Sequence, residues 1–367
     1  MDQQASRHEP VYVTRAIVPD PLEYSAYIGK ILESRYLTNA GQCVVQLEER
    51  LRAFMDISQL SLCTNGTLAL QLALRASGMA RGEVITTPFS YVATVSALLW
   101  EGYTPVFADI DEETCCLDPR ALEGSLSDNT VGILPVHIYG NACDVEAIGH
   151  FAAAHGLTTI YDAAQAFGSM YKGKSLCAYG DFATLSFHAT KVFHTVEGGA
   201  VVSHSAENKR NIDLLRSFGH IGDVHHTLGI NAKMTEPHAA MGLCLLGRFA
   251  ENIQKRKRVS EMYDALLPTS GLRKPKELQG FQRNYSYYPI IFDSHAAMTK
   301  AIAALNTDKV FPRRYFYPSL NNLPYLKKTR PCPIAEDISS RVLCVPLYAE
   351  LEEKTVERIL GIVKSCL

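Results

Sequence analysis

Leu60-Ser61-Leu62-Cys63-Thr64-Asn65-Gly66-Thr67 passes directly from the residues of a buried strand to those of a helix start. Leu60–Cys63 is a short apolar run closed by turn-forming residues, which reads as a strand. A helical period then covers Asn65–Ser77 and stops at Gly78. The strand signature recurs at Val84–Thr87, Pro105–Asp109, Val131–Val136 and Thr158–Tyr161, with helical segments between. Such alternation means parallel strands joined by helical crossovers, an α/β architecture. At the join, free backbone N–H groups and the positive end of the helix dipole face outward, and Gly66 admits a ligand. The turn therefore suits a phosphate, although an ordinary helix cap has the same composition.

Upstream, Pro21–Ser34 and Gln42–Met55 read as amphipathic helices separated by Tyr36-Leu37-Thr38-Asn39. Downstream, the texture changes at Asp181. Ala183–Phe187 and Ala200–Ser203 are apolar runs with no room for a helix between them, which predicts an antiparallel edge. A helical pattern runs from Thr235 to Leu267. A smaller α+β portion follows: a strand near Tyr287–Phe292, a helix near Ala296–Leu305 and a last helix from Leu351. The expected division is a large domain over 1–250 and a smaller C-terminal α+β domain over 251–367.

Composition narrows the function. With 36 basic and 38 acidic side chains, the chain lacks the field of a nucleic-acid binder or a polybasic membrane anchor. No apolar run approaches a membrane span. Met1 to Pro10 is polar and unlike a signal peptide, and the ten cysteines form no CxxC pair. Both features predict reduced thiols in a cytoplasmic protein. His220, His225 and His226 lack the spacing and the cysteine partner of a zinc site.

Two further stretches carry chemistry. Tyr161-Asp162-Ala163-Ala164-Gln165 places an acid at the carboxyl end of a predicted strand, where ligands of open α/β sheets gather. Asp162 there is either a helix cap or the partner of a buried positive charge. Gly180-Asp181-Phe182-Ala183-Thr184-Leu185-Ser186-Phe187-His188-Ala189-Thr190-Lys191 ends a strand on Ser186 and places Lys191 five residues later, before Glu197-Gly198-Gly199. A lone lysine is ordinarily solvated, but apolar surroundings lower its pKa and make it a nucleophile. The ordered set of cradle, strand-end acid, hydroxyl and lysine matches what pyridoxal phosphate requires. A dehydrogenase is disfavoured by the missing dinucleotide fingerprint, and a plain binding module by the assembled set.

At these residues the chain resembles the DegT/DnrJ/EryC1/StrS family of sugar-nucleotide aminotransferases, from Tyr36-Leu37-Thr38-Asn39 to the C-terminal helix. The resemblance implies the fold-type I aminotransferase architecture, with a mixed, mostly parallel sheet flanked by helices, and a homodimer whose active site is shared across subunits. It implies that Lys191 carries pyridoxal 5'-phosphate and that Asp162 holds the ring-nitrogen proton. Ser186 with the backbone of Gly66 and Thr67 would bind the phosphate, Tyr91 would stack on the ring, and Gln165 would touch it. Asn231 would reach the phosphate from the neighbouring subunit. Ile230 and Lys233 depart from the tyrosine and arginine common in the family, which bears on substrate choice. His188, Lys233, Arg313, Tyr315 and Tyr317 are the candidate substrate contacts, although Phe311–Pro318 also reads as a surface strand with a tyrosine ladder. The implied substrates are L-glutamate and a nucleotide-linked keto sugar. The Tyr36–Asn39 break and the Phe187–His194 run are most similar to the branch that converts dTDP-4-keto-6-deoxyglucose to dTDP-4-amino-4,6-dideoxyglucose. A 3-keto isomer, a UDP sugar and a non-catalytic regulatory member are the alternatives. Lys191 argues against the dehydratase relatives, in which histidine stands at that position.

Overall fold

A computed structural model describes residues 9–268, 270–327 and 329–367, so most of the Met1–Pro10 stretch lies outside the described residues. Its centre is a seven-stranded sheet in the order Gln59–Cys63, Gly199–Ser203, Phe182–Ser186, Thr158–Asp162, Thr130–Leu134, Glu83–Thr86, Thr104–Phe107. Gly199–Ser203 is antiparallel to both its neighbours, and every other pairing is parallel. The mixed, mostly parallel sheet flanked by helices is therefore present. The reversed strand lies one place in from the edge, however, because Gln59–Cys63 closes the sheet outside it.

That arrangement positions the site. Six strands end at one rim, and the reversed strand begins there, with Gly199 opposite both Cys63 and Ser186. The rim thus gathers Thr64, Thr87, Asp162 and Ser186 with the loops that follow them, as expected at the carboxyl ends of parallel strands. Helix Gly66–Ala76 leaves the first of these ends and packs across Phe182–Ser186 and Gly199–Ser203.

The pattern from Thr235 to Leu267 is two helices, Glu236–Leu246 and Phe249–Leu266. The break at Gly247-Arg248 turns the Phe249 ring inward, edge-on to Phe54 at 5.2 Å and to Phe167 at 5.1 Å. Phe167 also stacks on Phe193 at 4.5 Å and meets Phe187 edge-on, so this aromatic cluster underlies the loop that carries Lys191.

Beyond it, Leu272–Arg273, Tyr288–Phe292 and Val342–Val345 form a three-stranded antiparallel sheet. Helices His295–Thr307, Pro333–Arg341 and Glu353–Lys364 accompany it. Its apolar residues, among them Tyr263, Tyr288, Ile290 and Ile359, make a second buried cluster. Val11 belongs to that cluster, because Val11–Tyr12 pairs in parallel with Val310–Phe311. Among the described residues, no helix is long and apolar enough to cross a membrane.

Candidate active site

A cavity of about 300 Å³ opens at the strand-end rim. It brings together Gly66, Thr67, Tyr91, Asp162, Gln165, Ser186, His188, Lys191, Arg313 and Tyr315, ten of the residues singled out in the sequence.

The turn at its floor is built by close approach. Asn65 has extended backbone, and its side-chain oxygen accepts from the Leu68 N–H at 2.9 Å, which caps the helix. A Cβ on Gly66 would lie 2.7 Å from the Ser186 Cβ. One on Gly199 would lie 2.5 Å from the Asn65 carbonyl oxygen. Three backbones therefore meet where only glycine fits, which accounts for Gly66 and for the second glycine of Glu197-Gly198-Gly199. The capping bond uses Leu68, so the earlier N–H groups of the first turn stay available to an anion.

Asp162 ends its strand buried, at 5% exposure. One carboxylate oxygen accepts from the Thr94 hydroxyl at 2.8 Å and the other from the Ala164 N–H at 3.1 Å. Thr94 in turn shares a hydrogen bond with the Ser90 hydroxyl at 2.9 Å. Burial raises the Asp162 pKa, opposed by Ala164, Thr94 and the charge of Lys191. No cation lies within ion-pair distance of Asp162 among the described residues. Such a carboxylate fits a positively charged ligand atom placed above it.

Lys191 sits on a loop folded back on the strand end, with the Phe187 N–H donating to Gly198 O at 2.8 Å and the Thr195 N–H to Phe187 O at 2.9 Å. Its dense surroundings lower the lysine pKa, opposed by Asp162, Tyr315 and Tyr91. A lowered pKa makes this amine a better nucleophile toward an aldehyde. Its Nζ lies 3.5 Å from the Tyr287 hydroxyl. The Gln165 side-chain oxygen accepts from the Tyr139 N–H at 2.7 Å, which fixes the amide orientation and leaves its NH2 for a ligand. The Thr190 N–H donates to His188 Nδ1 at 3.2 Å, so Nδ1 is an acceptor and Nε2 faces Glu197 at 3.7 Å. The donor set fits pyridoxal phosphate: a glycine-lined cradle, a buried acid without a cation, and an amine of lowered pKa.

Three singled-out residues do not enter this cavity. Asn231 and Lys233 lie on the outer side of the turn, where Ala232 O accepts from the Thr64 N–H at 2.9 Å. The Lys233 ammonium donates to the Asn231 side chain at 2.8 Å, and Asn231 is exposed. Tyr317 is 55% exposed, with the Arg314 guanidinium over its ring, so it belongs to the surface. Conversely, Thr94 and Tyr287 were not expected. Thr94 lies three residues after Tyr91, in the first turn of helix Ala93–Trp100. Tyr287 precedes a strand in a tyrosine-rich run, and nothing in that pattern separates it from Tyr285 or Tyr288. The three histidines His220, His225 and His226 form no metal-binding group among the described residues.

Known proteins identify the family. Residues 22–364 match the DegT/DnrJ/EryC1/StrS aminotransferase family. The dTDP-4-amino-4,6-dideoxy-D-glucose transaminase of Shigella dysenteriae is 38% identical over 97% of this chain and 99% of its own. The Escherichia coli enzyme of that name is 39% identical over 95% of this chain and 96% of its own. The crystal structure of DesI in the presence of its TDP-sugar product superposes with a TM-score of 0.94 at 32% identity, covering 99% of this chain and 94% of that one. The chain accordingly belongs to the DegT/DnrJ/EryC1/StrS aminotransferase family and is a pyridoxal-phosphate-dependent aminotransferase.

Proposed function

We propose that this enzyme moves an amino group from L-glutamate to dTDP-4-keto-6-deoxyglucose, giving dTDP-4-amino-4,6-dideoxyglucose. The end-to-end similarity to two transaminases of that name carries the sugar assignment. Lys191 at the meeting point of the strand ends carries the chemical one.

When bound, pyridoxal phosphate supplies an electron sink for the carbon that loses its proton. The protein residues do the rest. Lys191 would hold the cofactor through Nζ, and its free amine would move the proton at the amino acid's α-carbon. Asp162, held by Thr94 and Ala164, keeps the ring nitrogen protonated. The first-turn N–H groups of Gly66 and Thr67, with the Ser186 hydroxyl, bind the phosphate. Tyr91, 60% exposed at the cavity wall, covers the ring, and the Gln165 NH2 orients it. His188, Arg313 and Tyr315 at the mouth bind the nucleotide sugar.

Asn231 and Lys233 serve the cavity of a second copy in a homodimer. Support comes from the exposed apolar residues just upstream of them: Phe218 at 50%, Val224 at 59% and Leu228 at 80%. The chain divides near residue 250, where helix Phe249–Leu266 leads from the large domain over 1–250 to the smaller one over 251–367. A cytoplasmic setting fits the ten free, buried cysteines.

The test is the visible absorption of the purified enzyme before and after L-glutamate, followed by addition of keto sugars. Loss of the visible band with glutamate and its return with dTDP-4-keto-6-deoxyglucose are expected. Return only with a 3-keto or UDP-linked sugar would move the substrate assignment, and a band indifferent to glutamate would overturn the donor. For the dimer, Lys191→Ala and Asn231→Ala chains, each impaired alone, should regain activity when mixed. No recovery would refute the shared site.

A further inference from the structure

We propose that the Tyr287 hydroxyl is a catalytic group of this site: it hydrogen-bonds the free amine of Lys191 and keeps Nζ aimed into the cavity while the amine gains and loses a proton. The proposal rests on Lys191 being the cofactor-bearing lysine. Among the described residues, Tyr287 is the hydrogen-bond partner of Nζ, at 3.5 Å.

The segment around Tyr287 is fastened far more firmly than a loop before a strand requires. The Asn284 side chain donates to Gln165 O at 2.8 Å and to Phe167 O at 2.9 Å. The Ser286 hydroxyl also donates to Gln165 O, at 2.9 Å. From the other side, the Arg256 guanidinium donates to Tyr285 O and to Ser286 O, each at 2.8 Å. Arg256 is 3% exposed and has no carboxylate partner among the described residues, and burial pulls its pKa down to about 10. A buried cation satisfied by carbonyls alone is an expensive fastening. What it fixes is the pair of segments that carry Asp162 and Tyr287, so both groups approach Lys191 from one rigid frame. Ring contacts complete the placement, with Tyr315 edge-on at 5.5 Å and Tyr139 at 6.0 Å.

A phenol suits this duty better than an acid. Burial pushes the Tyr287 pKa well above its ordinary value, so it stays neutral at any working pH. A neutral hydroxyl accepts from the ammonium and donates to the free amine, following the lysine through both forms. A carboxylate in its place would hold Nζ in the charged form. The other groups facing Lys191 are Asp162 from its strand, Tyr91 from the loop before helix Ala93–Trp100, and Tyr315. Each of these acts on the charge of the amine, and none of them makes a hydrogen bond to Nζ.

The experiment compares wild type, Tyr287→Phe, Tyr287→Leu and Lys191→Ala. In the cofactor-free protein, the pH dependence of Lys191 labelling by an amine reagent reports its ionisation without any turnover. Tyr287→Phe, which keeps the ring, should move that midpoint down by about half to one pH unit, because the ammonium loses its acceptor. In the loaded enzyme it should lower kcat by about tenfold to a hundredfold with the sugar KM little changed, as expected for a misaimed group. An unchanged midpoint and kcat in Tyr287→Phe, with only the melting temperature lowered in Tyr287→Leu, would reduce Tyr287 to packing and overturn the proposal. Lys191→Ala separates the two readings. If that variant still gives the wild-type visible band, the assignment of Lys191 itself fails. If it loses the band while Tyr287→Phe is silent, the role of Tyr287 alone fails.

Discussion

Gly66→Ala sets two effects of opposite sign against each other at the phosphate cradle. Alanine is the better helix former by about 1 kcal/mol in a helix interior, and somewhat less in a first turn. Residue 66 has ordinary helical backbone, so nothing conformational opposes the change. The opposing effect is contact. The new methyl would lie 2.7 Å from the Ser186 Cβ and 3.2 Å from its Cα. Carbon pairs settle at about 3.5–4.0 Å, so the turn must retreat by nearly 1 Å or the strand end must move. Gly199 limits the retreat, since its backbone already presses on Asn65 and Gly66. Overpacking of this kind costs about 1–3 kcal/mol, which outweighs the propensity gain. The variant should therefore lose about 1–2 kcal/mol and melt a few degrees lower. Its cofactor affinity should fall about tenfold or more, because the first-turn N–H groups are displaced from the phosphate. Calorimetry and absorbance titration of the cofactor-free protein measure the two effects. Gly149→Ala is the internal control. It lies in helix Val145–His155 with nothing within 4 Å of the added methyl, so it should gain up to about 1 kcal/mol. If Gly66→Ala behaves like Gly149→Ala and keeps full affinity, the close contact with Ser186 is not what selects glycine there.

Lys191→Ala should abolish turnover with every keto sugar while leaving the fold intact by circular dichroism; measurable turnover would refute its role. Thr94→Val keeps the shape but removes a donor from a buried carboxylate, which should cost about 1–3 kcal/mol and raise the Asp162 pKa further. An unchanged melting temperature and pH profile would show that Thr94 does not hold Asp162. The lowered pKa of Lys191 gives the cofactor-free protein a definite pH dependence. The penalty for burying its charge is complete below the folded-state pKa and vanishes as pH rises from there toward about 10.4, the unfolded value. Denaturation midpoints of wild type should therefore rise relative to Lys191→Met over that window, and parallel curves would refute the shift. Phe167→Ala, at the centre of the cluster under the lysine loop, should cost about 3–5 kcal/mol. A loss below about 1 kcal/mol would mean the cluster does not support the loop.

Much of the large sheet was legible because its strands are short apolar runs punctuated by glycine, proline and caps. The predicted runs fall within two residues of the observed strands. The floor of the site was legible for a related reason. Asn65-Gly66, Asp162 and Ser186 each sit at a strand end, where order along the chain and position on the rim coincide. Residues brought in by tertiary contact were harder. The place of the reversed strand depends on Gln59–Cys63 closing outside it, a pairing between distant segments that neither run records. The break at Gly247-Arg248 is set by where Phe249 must pack, and a helical period continues across it. Tyr287 and Tyr317 look alike in sequence. One follows a segment fastened by Arg256 and Asn284, and the other lies under Arg314 at the surface.

The pairing of Val11–Tyr12 with Val310–Phe311 has a bearing on movement and on dissection. The described residues start on the second cluster at Val11, leave it to build the seven-stranded sheet, and come back through helix Phe249–Leu266. The two bodies are thus joined by the chain at two places and bound further by the pairing of Phe281–Gln282 with Met170–Tyr171 and by the Asn284 bonds to Gln165 O and Phe167 O, so any movement of one against the other must break these contacts. For the same reason a scissors cut at residue 250 yields no independent piece, since residues 251–367 expressed alone would leave Val310–Phe311 without the strand that covers it.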